Sequence, residues 1–288
     1  MRDQLEGAGF LRSFHDAFPG VTSRSLAGAR IDATRSSYDL LAGFARANAD
    51  GAAPRAVLDL ACGDGYLLEV LASEAPETTR LVGLDFSGGE LMAARARLAG
   101  AARRPAGLTL LHADATALPL ATGEVDVVLC HLALNLLAPV DVAVAEIRRV
   151  LAPGGTVAAV VLGGGFPACD ATLAFQRALS QARAQTTAAM RAPLTLDRRT
   201  SDPYSLAALF SPKAGFGGVA VSDLRLRLAG SEDELWAFFA GFYDVAGLPA
   251  RELAHVEAAT RAALAGVAVG EGIAAAALSL RLIVAQRL

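Results

Sequence analysis

One short stretch, VLDLACGDGYLLEVL at residues 57–71, most strongly limits how this chain can fold. It begins with a mostly apolar run, residues 57–60, which is typical of a strand buried on both faces of a sheet. Gly63 and Gly65 follow at once, and glycine allows a tight turn and a close approach of the backbone to a ligand. A helix is predicted from Tyr66 onward, so its amino end faces whatever occupies the turn. The stretch therefore predicts one strand–turn–helix unit of a parallel α/β sheet, with a ligand at the turn.

The turn does not follow the dinucleotide-binding pattern G-x-G-x-x-G, because Leu68 stands where the third glycine would be. Asp59 precedes the turn on the strand itself, and its carboxylate would repel a pyrophosphate. The same carboxylate would attract the positively charged amino-acid end of S-adenosylmethionine. The turn thus favours an adenosine cofactor with a cationic end over a nicotinamide dinucleotide.

Two further carboxylates follow predicted strands. Residues 81–87 predict a second buried strand that ends at Asp85, 20 positions after Gly65. A carboxylate in this place can accept hydrogen bonds from both hydroxyls of a ribose. Residues 108–120 predict a third strand followed by Asp114, whose carboxylate can accept a hydrogen bond from the exocyclic amine of an adenine. These positions are consistent with one nucleoside bound along the edge of the sheet.

The rest of the chain supplies the remaining strands. Residues 125–137 predict a fourth strand, and the Pro-Gly-Gly turn at 153–155 leads into a fifth. Alternating segments at 219–229 and 277–288 predict the last two. The expected fold class is α/β: a doubly wound, Rossmann-like sheet of seven strands, mostly parallel, with an antiparallel last strand.

Together these motifs resemble class I S-adenosylmethionine-dependent methyltransferases of the small-molecule and quinone-type group. They span roughly residues 55–162, and their order and spacing are more specific than any one of them. The motifs that carry the resemblance are Asp59-x-Ala61-x-Gly63-x-Gly65, Asp85, Asp114-Ala115 with Leu118-Pro119, and Leu151-x-Pro153-Gly154-Gly155. Ala61 departs from the family's usual glycine and is a mild variant.

The resemblance implies S-adenosylmethionine as the cofactor and a small molecule as the methyl acceptor. It implies a helical lid at residues 1–50, followed by a methyltransferase domain at 51–288. A helical insertion at about 165–215, after the fifth strand, is expected to help build the substrate pocket. The expected cofactor contacts are Tyr38, Asp59, Ala61, Gly63, Gly65, Asp85, Phe86, Asp114, Ala115 and Cys130. Phe14, His15 and Phe18 of the lid are expected to contact the substrate.

His131 is the predicted catalytic residue. It follows the fourth strand at the carboxyl edge of the sheet, where ligands of open α/β folds bind. A general base is needed if the acceptor must lose a proton, as a hydroxyl does, whereas a carboxylate acceptor needs none. The alternative is that His131 only lines the methionine pocket or bonds to the backbone. No metal site is predicted.

The leading functional hypothesis is O-methylation of a small, fairly apolar metabolite in secondary metabolism. Aromatic residues in the lid favour an apolar acceptor, and no dedicated amine-binding acids stand out. Transfer to carbon or nitrogen remains an alternative, as does a protein that binds S-adenosylmethionine without catalysis. A nucleotide-binding oxidoreductase is disfavoured by the missing third glycine.

Composition limits the partners and the compartment. A net charge of −3 gives no global attraction for nucleic acid. No early apolar segment resembles a secretory signal, and the apolar stretches are too short to span a bilayer. Cys62, Cys130 and Cys169 are an odd number of cysteines without metal-binding spacing, as expected of free thiols in a reducing cytoplasm. A cytoplasmic monomer or homodimer without nucleic-acid or membrane partners is expected.

Overall fold

The computed structural model of the chain describes residues 2–46, 53–101, 107–164, 170–185, 196–246, 248–265 and 276–288. Within these ranges, seven strands form one sheet. The strands are β1 (Ala56–Leu60), β2 (Arg80–Asp85), β3 (Leu108–His112), β4 (Val125–His131), β5 (Leu151–Leu162), β6 (Phe216–Leu228) and β7 (Ala276–Arg287). Their order across the sheet is β3-β2-β1-β4-β5-β7-β6. All neighbouring pairs are parallel except the two that β7 makes, with β5 and with β6. The predicted fold class is confirmed.

Helices cover both faces of this sheet. They are α1 (Arg2–Ala17), α2 (Val21–Leu26), α3 (Ser37–Ala42), α4 (Tyr66–Glu74), α5 (Gly88–Gly100), α6 (Val140–Val150), α7 (Asp170–Gln185), α8 (Pro203–Leu209), α9 (Glu232–Ala240), α10 (Tyr243–Ala246) and α11 (Ala250–Ala265). One apolar cluster joins the sheet to α4, α5, α7, α9 and α11, and a second joins the opposite face to α6 and α8. No helix in the described ranges combines the length and apolar character needed to cross a bilayer.

The side chains of β1 and β4 alternate between these two faces, as strand geometry requires. Val57 and Leu129 belong to the cluster beneath α4 and α5, whereas Leu58 and Cys130 belong to the cluster beneath α6. Asp59 is two residues after Val57, so its side chain lies on the same face of the sheet, the one covered by α4. The parity of a residue in these strands therefore decides which face its side chain can serve.

A crevice opens where β1 and β4 end. These strands are neighbours, but β1 continues through α4 to β2, and β4 continues through α6 to β5 on the opposite face. Ligands of open α/β sheets bind at such a switch point. Ala61 and Leu132, the first residues after the two strands, have φ angles of 58° and 56°. Both chain exits thus adopt the left-handed conformation, which costs free energy in any residue with a Cβ.

The predicted lid and insertion are helical where the structure describes them. Helices α1 to α3 lie within the predicted lid, and residues 47–50 fall outside the described ranges. Helices α7 and α8 lie within the predicted insertion, of which residues 165–169 and 186–195 fall outside those ranges.

Ala61→Gly is expected to stabilise the protein by about 0.5–1 kcal/mol. Relief of the left-handed conformation contributes about 1–2 kcal/mol, and the extra freedom of glycine in the unfolded chain offsets about 0.4–1 kcal/mol. Gly65→Ala is the matched control with the opposite sign, because Gly65 has a φ of +77° and a Cβ there would lie 3.1 Å from the Ala94 Cβ. Urea unfolding measures both changes. A destabilised Ala61→Gly variant would contradict the prediction.

Candidate functional site

A pocket lies at the carboxyl ends of the strands, over the crevice between β1 and β4. It holds about 1370 Å³ of empty space, its open mouth included. Its walls come from the turn after β1, the ends of β2 and β3, the loop after β4, the amino-terminal helices and the start of α10. The site is therefore built by parts of the chain that are far apart in sequence.

Most of the predicted site residues meet in this pocket. Those that line it are His15, Tyr38, Asp59, Ala61, Gly63, Asp85, Phe86, Asp114, Ala115 and His131. Gly65 supports the same turn from behind, because its α-carbon packs against Ala94 of α5. The structure therefore brings these residues together at the carboxyl ends of the strands, where the sequence predicted them.

Asp59 is the most unusual group in the pocket. Its side chain is buried, and its Oδ2 atom has no hydrogen-bond partner among the residues that the structure describes. Burial raises the pKa of the Asp59 carboxyl well above its usual range, and the charges of Asp85 and Asp64 raise it further. A buried acceptor without a partner is costly, so this oxygen is suited to a donor that a ligand brings.

Asp85 is held by the turn that it faces. Its Oδ2 accepts a hydrogen bond from the Gly63 amide at 2.9 Å, and its Oδ1 accepts one from the Ser87 amide at 2.9 Å. Burial raises the pKa of this carboxyl, while the two amides oppose that rise. Each oxygen keeps a further lone pair, so the carboxylate can still accept from two ligand hydroxyls.

Asp114 and Ala115 form the pocket edge after β3. Oδ1 of Asp114 accepts hydrogen bonds from the amide of Thr116 at 2.8 Å and from its hydroxyl at 2.6 Å. This local turn holds the Asp114-Ala115 peptide in place beside the pocket. Asp114 is exposed and Ala115 is buried, so the pair presents one polar and one apolar surface.

His131 is buried between α3 and the end of β4. Its Nε2 lies 2.8 Å from the Ser37 hydroxyl oxygen, and its ring stacks on Tyr38 with the ring centres 3.9 Å apart. Burial lowers the pKa of His131 to about 3, so its imidazole is neutral at physiological pH. An efficient general base has a pKa near the working pH, which this geometry does not provide. The proton-accepting role of His131 stays a prediction beside the alternative of a lining role.

His15 is tied into the protein by both ring nitrogens. Nδ1 lies 2.7 Å from Oε1 of Glu90, and Nε2 lies 2.8 Å from the hydroxyl oxygen of Tyr243. All three side chains line the pocket. The sequence placed His15 at the substrate, and the structure places it in the pocket wall, within a hydrogen-bonded chain.

Comparison with known proteins identifies the central part of the chain. Residues 58–159 match the family model of the methyltransferase domain. This central part of the chain is similar to methyltransferase domains. The likeness, with S-adenosylmethionine as the cofactor, agrees with the motifs from Asp59 to Gly155.

Curated relatives match part of the chain. A malonyl-acyl-carrier-protein O-methyltransferase of Methylococcus capsulatus is 36% identical over 124 residues, which are 43% of this chain and 41% of that protein. A demethylmenaquinone methyltransferase of Thermus thermophilus is 40% identical over 103 residues, which are 36% of this chain and 45% of that protein. The chain thus spans less than half the length of these relatives.

Solved structures share the fold over more of the chain. The YcgJ protein of Bacillus subtilis is 17% identical with a TM-score of 0.54, covering 87% of this chain and 97% of that one. The 4+2 cyclase SpnF is 16% identical with a TM-score of 0.55, covering 96% of this chain and 94% of that one. At these identities the likeness establishes the fold alone.

The methyltransferase domain offers groups that fit its cofactor. The unpartnered Oδ2 of Asp59 fits the ammonium group of the methionine end, because a cation would compensate its burial. The Asp85 carboxylate fits the ribose hydroxyls, and Asp114 with Ala115 fits the adenine edge. Gly63, with a φ of +52°, provides the close backbone approach.

Besides Gly65, three expected contacts lie outside the pocket lining. The Cys130 thiol points to the α6 face, because it stands at the opposite parity to His131 on β4, and burial raises its pKa to about 12. Phe14 is buried against Tyr243 with ring centres 5.0 Å apart, so it supports the lid from behind. Phe18 is 53% exposed. These side chains do not contact the pocket, which corrects their assigned places.

The helical insertion also needs a correction. None of its described residues, 170–185 and 196–215, lines the pocket. Helix α7 packs against α11 instead, and the Phe175 ring stacks on Phe239 with the centres 4.5 Å apart. This part of the insertion serves the core rather than the substrate pocket.

Several lining residues were not identified from the sequence. The loop after β4 supplies Leu132, Leu136 and Leu137, and the end of α9 leads to Tyr243. Glu90 enters the pocket from the first turn of α5. Its signal was weak, because an acid three residues after a capping serine usually indicates a capping box.

Asp59→Asn is expected to weaken binding of S-adenosylmethionine by about 1.5–3 kcal/mol, the scale of a lost charged hydrogen bond. The same change is expected to stabilise the protein without cofactor, because it removes a buried carboxylate whose pKa is raised. Calorimetry and thermal unfolding measure the two effects. Asp223→Asn, on the edge strand β6, is the control. Unchanged affinity would exclude Asp59 as the ammonium site.

His131 is expected to make stability fall on acidification. Below its ordinary pKa of 6.5 the unfolded chain binds a proton here, whereas the folded protein does so only near pH 3. The wild type should therefore lose about 2 kcal/mol more than His131→Gln between pH 7.5 and pH 5. Urea unfolding at both pH values tests this, with His255→Gln on α11, an exposed position, as the control. Equal losses in wild type and His131→Gln would contradict the buried neutral imidazole.

Proposed function

We propose that this chain transfers the methyl group of S-adenosylmethionine to an oxygen of a small, largely apolar acceptor, in secondary metabolism and in the cytoplasm. One observation carries the proposal. The pocket that contains the unpartnered Asp59 oxygen continues into apolar walls, so cofactor and acceptor can share one cavity.

The apolar walls come from two segments. Helix α1 contributes Gly7, Ala8 and Leu11, and the loop after β4 contributes Leu132, Leu136 and Leu137. Small residues at the first two positions leave room beside α1, and the leucines offer surface that gains free energy when an apolar acceptor covers it. This arrangement supports an apolar acceptor.

The charges in the pocket favour an acceptor without negative charge. Four buried carboxylates line it, those of Asp59, Asp64, Asp85 and Glu90. An anionic acceptor would lose its water shell next to like charges, which is unfavourable. The relatives include a malonyl-acyl-carrier-protein O-methyltransferase and methyltransferases named for quinones. The pocket supports an acceptor of the quinone-like kind, with an uncharged phenol or hydroxyl group on a ring.

The protein's part in the reaction is mainly positioning. When bound, S-adenosylmethionine supplies an already electrophilic methyl group. Asp59 would hold the ammonium end and Asp85 the ribose, so that the acceptor meets the methyl group in one orientation. Such alignment contributes on the order of 7–11 kcal/mol in favourable cases. Helices α1 and α2 cover the turn and exclude water, and the neutral ring of His131 completes the wall beside Tyr38.

The proposal predicts methyl transfer to a neutral aromatic hydroxyl and not to a matched carboxylate. Purified protein with S-adenosylmethionine is offered 2-naphthol, 2-naphthoic acid and 2-naphthylamine, and release of S-adenosylhomocysteine is measured. We expect the naphthol to react at least about tenfold faster than the acid, a difference of roughly 1.4 kcal/mol. Asp59→Asn should lower the rate with every acceptor.

The other outcomes identify the alternatives. Release with the amine alone indicates an N-methyltransferase, and a methylated ring carbon in the product indicates a C-methyltransferase. Cofactor binding by calorimetry without release for any acceptor indicates a non-catalytic binder. Any of these results would overturn O-methylation.

A further inference from the structure

Glu90 departs from the complete capping boxes at the starts of α3 and α9. In α3 and α9 a serine caps the helix, and the acid three residues later bonds back to the amide of that serine. At the start of α5 the Ser87 hydroxyl accepts from the Glu90 amide at 3.1 Å, but the Ser87 amide donates to Asp85 instead. The Glu90 carboxylate is therefore released from the usual capping box.

The released carboxylate binds the amino-terminal segment. Oε2 of Glu90 accepts a hydrogen bond from the Gly20 amide at 2.8 Å, and Oε1 lies 2.7 Å from Nδ1 of His15. Nε2 of His15 then meets the Tyr243 hydroxyl at 2.8 Å. The Glu90 side chain is only 3% exposed. One buried carboxylate thus joins the end of α1, the turn before α2 and the start of α10.

The Gly20 contact depends on the absence of a side chain. Gly20 has a φ of +73°, and a Cβ there would lie 2.7 Å from Oδ2 of Asp64. That Asp64 oxygen also accepts a hydrogen bond from the Ser23 hydroxyl at 2.6 Å. The turn before α2 therefore reaches Glu90 through its backbone while Ser23 holds it to the glycine turn after β1.

Glu90 stands beside the cofactor groups. It lines the pocket with Asp85 and Gly63, and a Cβ on Gly63 would lie 3.7 Å from Oε2 of Glu90. The charge of Glu90 also contributes to the raised pKa of Asp85. The segment that Glu90 binds consequently covers the part of the pocket that fits the ribose.

We propose that Glu90 is a positioning residue that holds α1 and α2 across the cofactor subsite, so that exchange of the cofactor requires its contacts with Gly20 and His15 to break. The inference rests on the proposed function for the identity of the ligand. The attachment of α1 and α2 to Glu90 rests on contacts within the protein, so its loss can be measured without a ligand.

The first test measures how fast S-adenosylhomocysteine leaves. In Glu90→Ala the dissociation rate should rise about tenfold or more, as expected for lost hydrogen bonds to a charged group. Tyr243→Phe, which removes only one hydroxyl, should raise it by a smaller factor. Glu90→Gln keeps an oxygen for the Gly20 amide and should restore most of the wild-type rate. The KM values for S-adenosylmethionine and for the acceptor should both rise, because α1 also contributes to the apolar wall.

Glu234→Gln is the matched control, because Glu234 closes the complete capping box of α9 and lies outside the pocket lining. It should leave the dissociation rate unchanged. Wild-type dissociation in Glu90→Ala would overturn the inference, even if that variant were less stable to heat.

A second measurement separates this inference from the proposed function. Hydrogen–deuterium exchange over residues 10–26, without any ligand, should be faster in Glu90→Ala than in wild type and Glu234→Gln. Unchanged exchange in that segment overturns the fastening role. If the wild type binds neither form of the cofactor, the proposed function fails. Faster exchange in that case still supports Glu90 as the fastening point.

Discussion

The structure depends on the opposite directions that the chain takes after two neighbouring strands. β1 and β4 run side by side, and then each leaves the sheet toward a different face. Both exits use a residue with positive φ, Ala61 and Leu132, and both of these residues line the pocket. The two residues with strained backbone are thus the ones that form the walls of the crevice. Because parallel strands end at the same edge, and both residues have the parity of the α4 face, Asp59 and His131 line the same pocket.

The carboxylates in the crevice are satisfied in different ways. Asp85 accepts from backbone amides, Asp64 accepts from Ser23 and pairs with Arg97, and Glu90 accepts from Gly20. The bonds to Gly20 and Ser23 fasten the amino-terminal segment to α5 and to the glycine turn. Asp59 differs, since one of its oxygens has no partner among the described residues. The other acids are therefore engaged within the protein, whereas this oxygen remains open to a donor from a ligand.

Local patterns predicted the strands, the glycine turn and the acids that follow the strands, because each depends on residues within a few positions. Parity explains the error at Cys130, which strand periodicity alone could have placed on the α6 face beside Leu58. Tyr243 and His15 are 228 positions apart, and no local pattern could indicate their contact. The role of α7 was equally hidden, since an amphipathic helix looks the same whether it packs on α11 or lines a pocket.

The two halves of the site come from different parts of the chain. Asp59, Asp85 and Asp114 lie within residues 58–159, the part that relatives share. The other wall comes from α1, Tyr38 and Tyr243, all outside that match. Similarity to a malonyl-acyl-carrier-protein methyltransferase or to a quinone methyltransferase consequently says little about which acceptor fits here. Under the proposed function the acceptor would meet α1 and the loop after β4, and Glu90 binds the end of α1 through His15.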